Sequence, residues 1–295
     1  MADALTHCGI EVELIGRADS VLPTVDPEIG GQVRSGLQKH GVAVRTGVAI
    51  HELRGTEDDI VLIGPNGFTT RANLVVWATG VTPASEIAAA AGIDVGTQQA
   101  CKVSRRMETN LADIYAAGDC VETWHRVLQQ YTYLPLGTTA HKQGRVAGEN
   151  AAGGYAEFGG AVGTQVVKVF EMAIARTGLL DREAASGGFS PLTVAAEAYD
   201  HKAYYPGAEK LQVRVTDDLR TGTLVGAQIA GHWKAEVAKR IDVFATALFH
   251  GMKVEDINAL DLSYTPPLGS PWDAVQVAAQ RWSATQRDRL ETRNE

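Results

Sequence analysis

Two kinds of apolar spacing alternate along the first half of the chain. Ile29, Val33 and Leu37 recur at four-residue spacing in a stretch that opens on Asp26-Pro27 and stops at Gly41. That pattern predicts a helix with an N-cap acid, a proline in its first turn and one apolar face, in other words a covering helix. Ala2 to Thr6 reads as the end of an amphipathic helix closed by Gly9, and Ile10 to Ile15, with apolar and acidic residues alternating, as the strand it feeds. Further strands are predicted at Val42 to Arg45, Ile60 to Ile63 and Leu74 to Ala78, with Asn66-Gly67 turning the last two into a hairpin. Ala84 to Ala91 reads as a short helix and Lys102-Val103-Ser104 as a strand edge. Thr138 and Thr139 are expected to cap a helix running to about Asn150.

The stretch Ile114-Tyr115-Ala116-Ala117-Gly118-Asp119 has too few small or apolar residues for a core helix, and reads as a buried strand that meets a turn and delivers one carboxylate to a sheet edge. In open α/β sheets ligands sit at the carboxyl ends of strands, where an Asp accepts hydrogen bonds from sugar or ribityl hydroxyls. An Asp after Gly also closes turns through its own backbone bonds. The residues alone leave both readings open.

Beyond Ala151-Ala152-Gly153-Gly154, a boundary of small residues, the texture changes. Thr164 to Phe170, Phe189 to Ala196, Leu211 to Val215 and Leu224 to Ile229 read as strands, with a turn over Asp217 to Gly222. Val237, Ile241, Phe244, Ala245 and Leu248 then mark one helical face. Strands followed by helices predict an α+β module. The stretch from Ser283 onward, rich in Arg, Asp and Glu, reads as a solvated helix or disordered end.

Composition narrows the function classes. A chain of 295 residues can bury sizeable cores in two or three domains, and 45% hydrophobic with 21% charged residues is the balance of an ordinary globular protein. A net charge of −8 disfavours a nucleic-acid surface, which needs clustered Lys and Arg. No long apolar run and no charged-then-apolar leader occurs, so no membrane span or signal peptide is predicted and the expected place is the cytoplasm. Cys8, Cys101 and Cys120 stand far apart with no C-x-x-C spacing, which suggests buried structural thiols and neither a redox pair nor a metal site. His125, alone in a predicted loop, is expected to be solvated.

Three segments in order, Leu74-Val75-Val76-Trp77-Ala78-Thr79-Gly80-Val81-Thr82-Pro83, Tyr115-Ala116-Ala117-Gly118-Asp119 and Leu134-Pro135-Leu136-Gly137-Thr138-Thr139-Ala140, resemble those of the flavin-dependent pyridine nucleotide-disulfide oxidoreductases. The resemblance runs from roughly Gly9 to Gln280 and implies an incomplete Rossmann-like α/β nucleotide-binding part followed by an α+β dimerisation domain. It divides the chain into a partial NAD(P)H-binding domain (1–80), the C-terminal piece of an FAD-binding domain (81–153), a dimerisation domain (154–282) and a polar tail (283–295). By the same resemblance Gly118 and Asp119 hold the ribityl chain of FAD, while Gly137, Thr138 and Thr139 open a helix beneath its ring. The positive end of that helix would favour an anionic reduced flavin. Lys142, placed on its first turn, reads equally as a surface residue. Gly80 would let nucleotide approach where a side chain would not, although a plain turn is an equal reading. At the end of the first strand Gly16 stands where a ribose-binding acid is usual. Arg17 beside it suits the 2′-phosphate of NADPH, or else an ordinary surface salt bridge.

Two later stretches, Tyr204-Tyr205-Pro206-Gly207-Ala208 and Tyr264-Thr265-Pro266-Pro267-Leu268-Gly269-Ser270-Pro271-Trp272-Asp273, resemble those of coenzyme A-disulfide reductases and related NADH oxidases. The resemblance implies that Tyr205 and Tyr264 reach the redox cysteine of the partner in a homodimer and protonate a leaving thiolate. The bland reading is interface packing. A full-length member of that family carries an N-terminal flavin domain with its own G-x-G-x-x-G and a redox Cys, neither of which is in this sequence, and Cys8, Cys101 and Cys120 match none of the family's positions. The expectation is therefore the C-terminal part of an FAD-dependent NAD(P)H:disulfide oxidoreductase acting on coenzyme A disulfide or a similar substrate. The alternatives are an NADH oxidase or peroxidase on the same scaffold, or a dimerising remnant without catalysis.

Overall fold

The computed structural model describes residues 1–294. It opens on a short helix, α1 (Ala2–His7), with Gly9 in the left-handed conformation just past its end. Strand β1 (Glu13–Ile15) follows, shorter than the alternation predicts. Then comes α2 (Pro27–Lys39), stopped by Gly41 at φ +82°, and β2 (Ala43–Arg45), which pairs with β1 in parallel. A helix crossing between two parallel strands is the βαβ arrangement. Next is a three-stranded antiparallel sheet of β3 (Glu52–Gly55), β4 (Ile60–Ile63) and β5 (Thr69–Ala72). Asn66 and Gly67, both with positive φ, turn β4 into β5. The hairpin is present, but its second strand is Thr69–Ala72.

Leu74 to Ala78, predicted as that strand, has no ladder partner among the described residues. Leu74 is 67% exposed and Trp77 57%. A near-continuous apolar run is the signature of a strand covered on both faces by a parallel sheet and its helices. Here β1 and β2 form a sheet of only two strands, which offers no such place.

After α3 (Glu86–Ala90), the chain to residue 122 is held by isolated bridges, Val95 to Cys101, Cys101 to Val121 and Glu108 to Tyr115. The expected edge at Lys102–Ser104 has no bridge of its own, only those of Cys101 before it, and the expected buried strand at Ile114–Ala117 is a single bridge, Tyr115 to Glu108, with Ile114 40% exposed. A hairpin of β6 (Thr123–His125) and β7 (Gln130–Thr132) precedes α4 (Gly137–Ala151). Leu136 occupies the N-cap of α4 without a side-chain cap bond, so Thr138 and Thr139 belong to the first turn instead of capping it, and Lys142 lies beyond that turn.

The last part is an antiparallel five-stranded sheet with strands β8 (Gln165–Val169) and β9 (Met172–Gly178) and, after helix α5 (Asp181–Ser186), β10 (Pro191–Tyr199), β11 (Lys210–Asp218) and β12 (Thr223–His232), ordered β10-β11-β12-β9-β8. Helices α6 (Val237–Phe249), α7 (Val254–Asn258) and α8 (Ala274–Asn294) complete the chain. The stretch from Ser283 onward continues α8 without a break.

Both faces of the central strands of this sheet are buried, and the period of two along them decides against what. Ala173, Ala175 and Ile229 pack with Ile241, Phe244 and Leu248 of α6 and with Val275, Ala278 and Ala279 of α8. Ile174 and Ala230 point the other way and pack with Ile29, Val33 and Leu37 of α2. The covering helix therefore covers the C-terminal sheet as well as its own strands. Burial of Ile29 alone removes a side chain worth roughly 1.5–3 kcal/mol from water.

Three side chains depart from expectation. Asp26 makes no cap bond to α2; it is buried and accepts hydrogen bonds from Arg214 Nε and Gln228 Nε2, each at 2.8 Å. Cys8 is exposed, whereas Cys101 is buried, as expected of a structural thiol. His125 is not solvated: it lies in β6 and is 3% exposed.

Candidate functional site

Asp119 is presented by a glycine turn locked onto a helix. Gly118 has φ +88°, a conformation that disfavours any residue with a Cβ. Its amide donates to Gln143 Oε1 of α4 at 2.9 Å, and the fully buried Gln143 donates in turn to Thr123 Oγ1 at 3.0 Å. The Tyr133 hydroxyl donates to the carbonyl of Asp119 at 3.0 Å. Burial, followed by the nearby Asp119 and Cys120, raises the pKa of Tyr133 above its ordinary value, which keeps that donor protonated. The Asp119 carboxylate itself is exposed and has no ion pair or hydrogen bond among the described residues.

Beside this turn stands the N-terminus of α4. Gly137 and Thr138 are exposed and Thr139 is buried. The amides of Thr139 and Ala140 both bond to the Leu136 carbonyl at 2.9 Å, whereas those of Gly137 and Thr138 have no acceptor among the described residues. A free carboxylate next to two free amides at the positive end of a helix offers acceptors for hydroxyls and donors for an electron-rich ring edge.

The two tyrosine segments are brought together. Tyr205 and Tyr264 are 38% and 43% exposed, and the amide of Lys202 in one segment donates to the Pro266 carbonyl in the other at 3.3 Å. The Tyr205 amide donates to the Lys202 carbonyl at 2.8 Å, closing a tight turn. Tyr204 lies against Tyr205 with ring centroids 5.3 Å apart. Leu268 and Trp272 add exposed apolar surface to the same segments.

Arg17 and Gly80 stand elsewhere. Arg17 is exposed just past β1, whose strand end is held by the Gly16 amide donating to the Arg45 carbonyl at 2.8 Å, and it makes no ion pair among the described residues. The surface salt bridge considered for it is therefore absent there. Gly80 has φ +109° and is exposed, with nothing within 4 Å of where a Cβ would sit. Among the described residues no hydrogen bond links these two residues, the Asp119 turn and the tyrosine segments to one another.

Sequence reasoning missed two buried polar groups. His125 Nδ1 accepts the Leu128 amide at 3.2 Å, and burial first, then the charge of Arg176, push its pKa down to about 4. Glu183, which pairs with Arg176 at 2.6 Å, partly opposes that shift. The other group is Arg240. It occupies the apolar side of α6 between Val237 and Ile241, and a basic residue on an apolar face is a signal for a buried ion pair.

Two family models match the chain. One, described as pyridine nucleotide-disulphide oxidoreductase, matches residues 1–144, and the dimerisation domain of the same family matches residues 164–274. The chain belongs to the pyridine nucleotide-disulphide oxidoreductase family. Among its members, the NAD(P)H sulfur oxidoreductase (CoA-dependent) of Pyrococcus furiosus is 34% identical over 95% of this chain and 62% of its own length. The coenzyme A disulfide reductase of Staphylococcus epidermidis is 25% identical over 92% of this chain and 61% of its own length. The solved structure of an NAD-dependent persulfide reductase from A. fulgidus superimposes with a TM-score of 0.93 at 37% identity, over 98% of this chain and 53% of that one. This chain thus spans about three-fifths of the length of the curated relatives it matches. The fold expected from the sequence, a nucleotide-binding α/β part followed by a dimerisation domain built on a sheet, is the fold of this family.

Proposed function

We propose that this chain is the C-terminal part of an FAD-dependent NAD(P)H:disulfide oxidoreductase that reduces coenzyme A disulfide or a related persulfide as a homodimer. The observation that carries the reading is the hydrogen bond from the Lys202 amide to the Pro266 carbonyl, which sets two half-exposed tyrosines on neighbouring, irregular segments of the dimerisation domain. Relatives named for coenzyme A disulfide reduction and CoA-dependent sulfur reduction support the substrate class.

The residues present fit one side of an FAD site. Asp119 has an unpartnered carboxylate to accept ribityl hydroxyls, and Gly137 and Thr138 have free amides to meet the ring edge. When bound there, FAD would supply the acceptor for hydride from the nicotinamide. Arg17, exposed and unpaired past β1, would face the ribose of the nicotinamide nucleotide and tolerate a 2′-phosphate.

In the disulfide step a redox cysteine thiolate of the complete protein would attack one sulfur of the substrate, forming a mixed disulfide with it as the substrate's sulfur–sulfur bond breaks and a coenzyme A thiolate leaves. The chain's part is to bring a proton to that leaving group. Tyr205 and Tyr264 carry phenolic hydroxyls, which can donate to a thiolate held beside them. The exposed Tyr204, Leu268 and Trp272 around them are suited to contact a second subunit.

The test is release of thiol from coenzyme A disulfide by the complete, flavin-loaded protein with NADH and with NADPH. Tyr205→Phe and Tyr264→Phe are expected to lower that turnover by roughly a hundredfold each. Oxygen consumption without thiol release would assign an oxidase instead, and tyrosine variants as fast as the parent would reject the acid role.

A further inference from the structure

Neither tyrosine segment has a strand ladder or helix of its own to fix its shape. The first leaves β10 at Tyr199 and enters β11 at Lys210; the second runs from the end of α7 to the start of α8 at Ala274. Each is closed at its base by side chains. Asp200 Oδ1 accepts the amides of His201 at 2.8 Å and Glu209 at 2.9 Å, and the Asp200 amide donates to the Glu209 carbonyl at 2.9 Å, which pins both ends of the first segment. Gln276 Nε2 donates to the carbonyls of Asn258 at 3.2 Å and Leu260 at 2.8 Å, and its Oε1 accepts the Asp273 amide at 3.3 Å, which pins both ends of the second.

One guanidinium joins the two bases. Arg240 is buried, 7% exposed, on the inward side of α6. Its Nη2 donates to the Asp200 carbonyl at 2.6 Å, the first residue of one segment. Its Nε donates to Asp273 Oδ2 at 2.9 Å, the last residue of the other, and its Nη1 is anchored on the Ala235 carbonyl at 2.7 Å. All three nitrogens of the planar fork are used, each on a different piece of chain. A lysine ammonium could follow any one of these acceptors but could not span all three, because its donors radiate from a single atom. The charge is compensated by Asp273 and the remaining donors by carbonyls, so burial is satisfied. At the tips, the Lys202 to Pro266 hydrogen bond continues the same connection toward Tyr205 and Tyr264.

We infer that Arg240 is the positioning residue of the disulfide step: it holds the Tyr205 and Tyr264 segments in one fixed relation, so that the two hydroxyls are offered to the substrate as a pair. This rests on the disulfide-reductase reading above. Arg240 touches neither tyrosine ring nor any substrate; it acts through the two loop bases.

The experiment uses the complete flavin-loaded protein with Arg240→Lys, with Asp273→Asn, and with both changes placed in a Tyr205→Phe, Tyr264→Phe background. Asn at 273 still accepts the Val275 amide that caps α8, so this variant weakens the clamp even if Arg240→Lys does not fold. The expected result is a loss of about tenfold in kcat with coenzyme A disulfide and an unchanged rate of flavin reduction by NAD(P)H without disulfide. In the tyrosine double variant neither change should slow turnover further, since residues acting through one another do not add. Parent-like disulfide turnover in both folded single variants, an equal loss in flavin reduction, or losses that multiply in the tyrosine background would each overturn the assignment. If the tyrosine double variant itself turns over like the parent, the disulfide reading fails and the positioning role with it. If the tyrosines matter and Arg240→Lys with Asp273→Asn do not, only the role of Arg240 is lost.

Discussion

Arg214 and Asp26, separated by 188 positions in sequence, form an ion pair of 2.8 Å in the interior, between a strand of the C-terminal sheet and the residue that precedes α2. Gln228 completes the cluster, donating to the same carboxylate oxygen while its own Oε1 accepts the Asp26 amide at 2.8 Å. The N-terminal α/β part is thus tied to the dimerisation sheet by polar groups as well as by the apolar face of α2. Removing Asp26 takes the short, buried counter-charge from a mostly buried guanidinium and leaves it only the longer contact to Glu28, and a loss of this kind costs on the order of 3 kcal/mol. Asp26→Ala is expected to lower stability by that order in chemical unfolding. Glu28→Ala, which removes the exposed and longer 3.6 Å contact to the same arginine, should change it by less than about 0.5 kcal/mol. Equal effects of the two would mean that the buried pair is not what holds the parts together.

His125 gives the protein an acid limit. Burial and the charge of Arg176 hold its folded pKa at about 4, against an ordinary value near 6.5, so the side chain is neutral and buried at pH 7. With a depressed folded pKa, the unfolded chain takes up the proton first as pH falls. The contribution is therefore fully present above about 6.5 and is lost progressively between about 6.5 and 4. The largest loss is on the order of 3 kcal/mol. In His125→Gln, Tm should vary with pH clearly less than in the parent across that window; an unchanged slope would remove His125 as its source.

What the sequence conveyed and what it hid follow one physical line. The α2 face of Ile29, Val33 and Leu37 and the α6 face of Val237, Ile241 and Phe244 were legible because period and burial agree there. Strand β9 was not, because Arg176 interrupts its apolar run. Only the tertiary partners of that arginine, Glu183 and the Thr24 carbonyl at 2.9 Å, make its burial tolerable. Leu74–Ala78 carries the apolar residues of a buried strand with no ladder partner among the described residues, and Ile114–Ala117 those of one held by a single bridge, so their composition overstates their pairing. At the candidate site, the Gly118-Asp119 turn and the tyrosine segments were legible as motifs. The clamp of Arg240 was not: its place on an apolar face signals an ion pair, but its acceptors on Ala235 and Asp200 are carbonyls, which leave no trace in side-chain identity.

Asp217 is a stored instability. It is fully buried, its Oδ1 has no hydrogen-bond partner, and burial raises its pKa above the usual carboxylate value. A raised folded pKa means that stability is highest below the unfolded value near 4 and declines as pH rises through the folded one. Asp217→Asn keeps an acceptor toward Gln286 without the charge. Its Tm should exceed that of the parent at pH 7 and converge with it near pH 4. A variant less stable than the parent at pH 7 would show that the charge is compensated in place.

Asp119 offers the most direct test of the flavin half-site. Its carboxylate is exposed and unpartnered, so Asp119→Ala removes no internal contact and should leave Tm unchanged, whereas a hydrogen-bonded charge on a bound ligand is worth about 1.5–3 kcal/mol. In the complete protein the Kd for FAD, read from quenching of flavin fluorescence, is expected to rise by roughly tenfold or more in Asp119→Ala and by less in Asp119→Asn, which retains one acceptor. Gly118→Ala separates geometry from chemistry. Its Cβ would meet only Ala140 Cβ at an ordinary 3.6 Å, but φ +88° is strained for alanine, so the turn that aims Asp119 should shift while the carboxylate remains. Weakened FAD binding in both variants, with unfolding affected only by the second, places the ribityl contact on the carboxylate. Unaltered affinity in Asp119→Ala would show that the carboxylate contributes no bond to the flavin and that the Gly118 turn is structural alone.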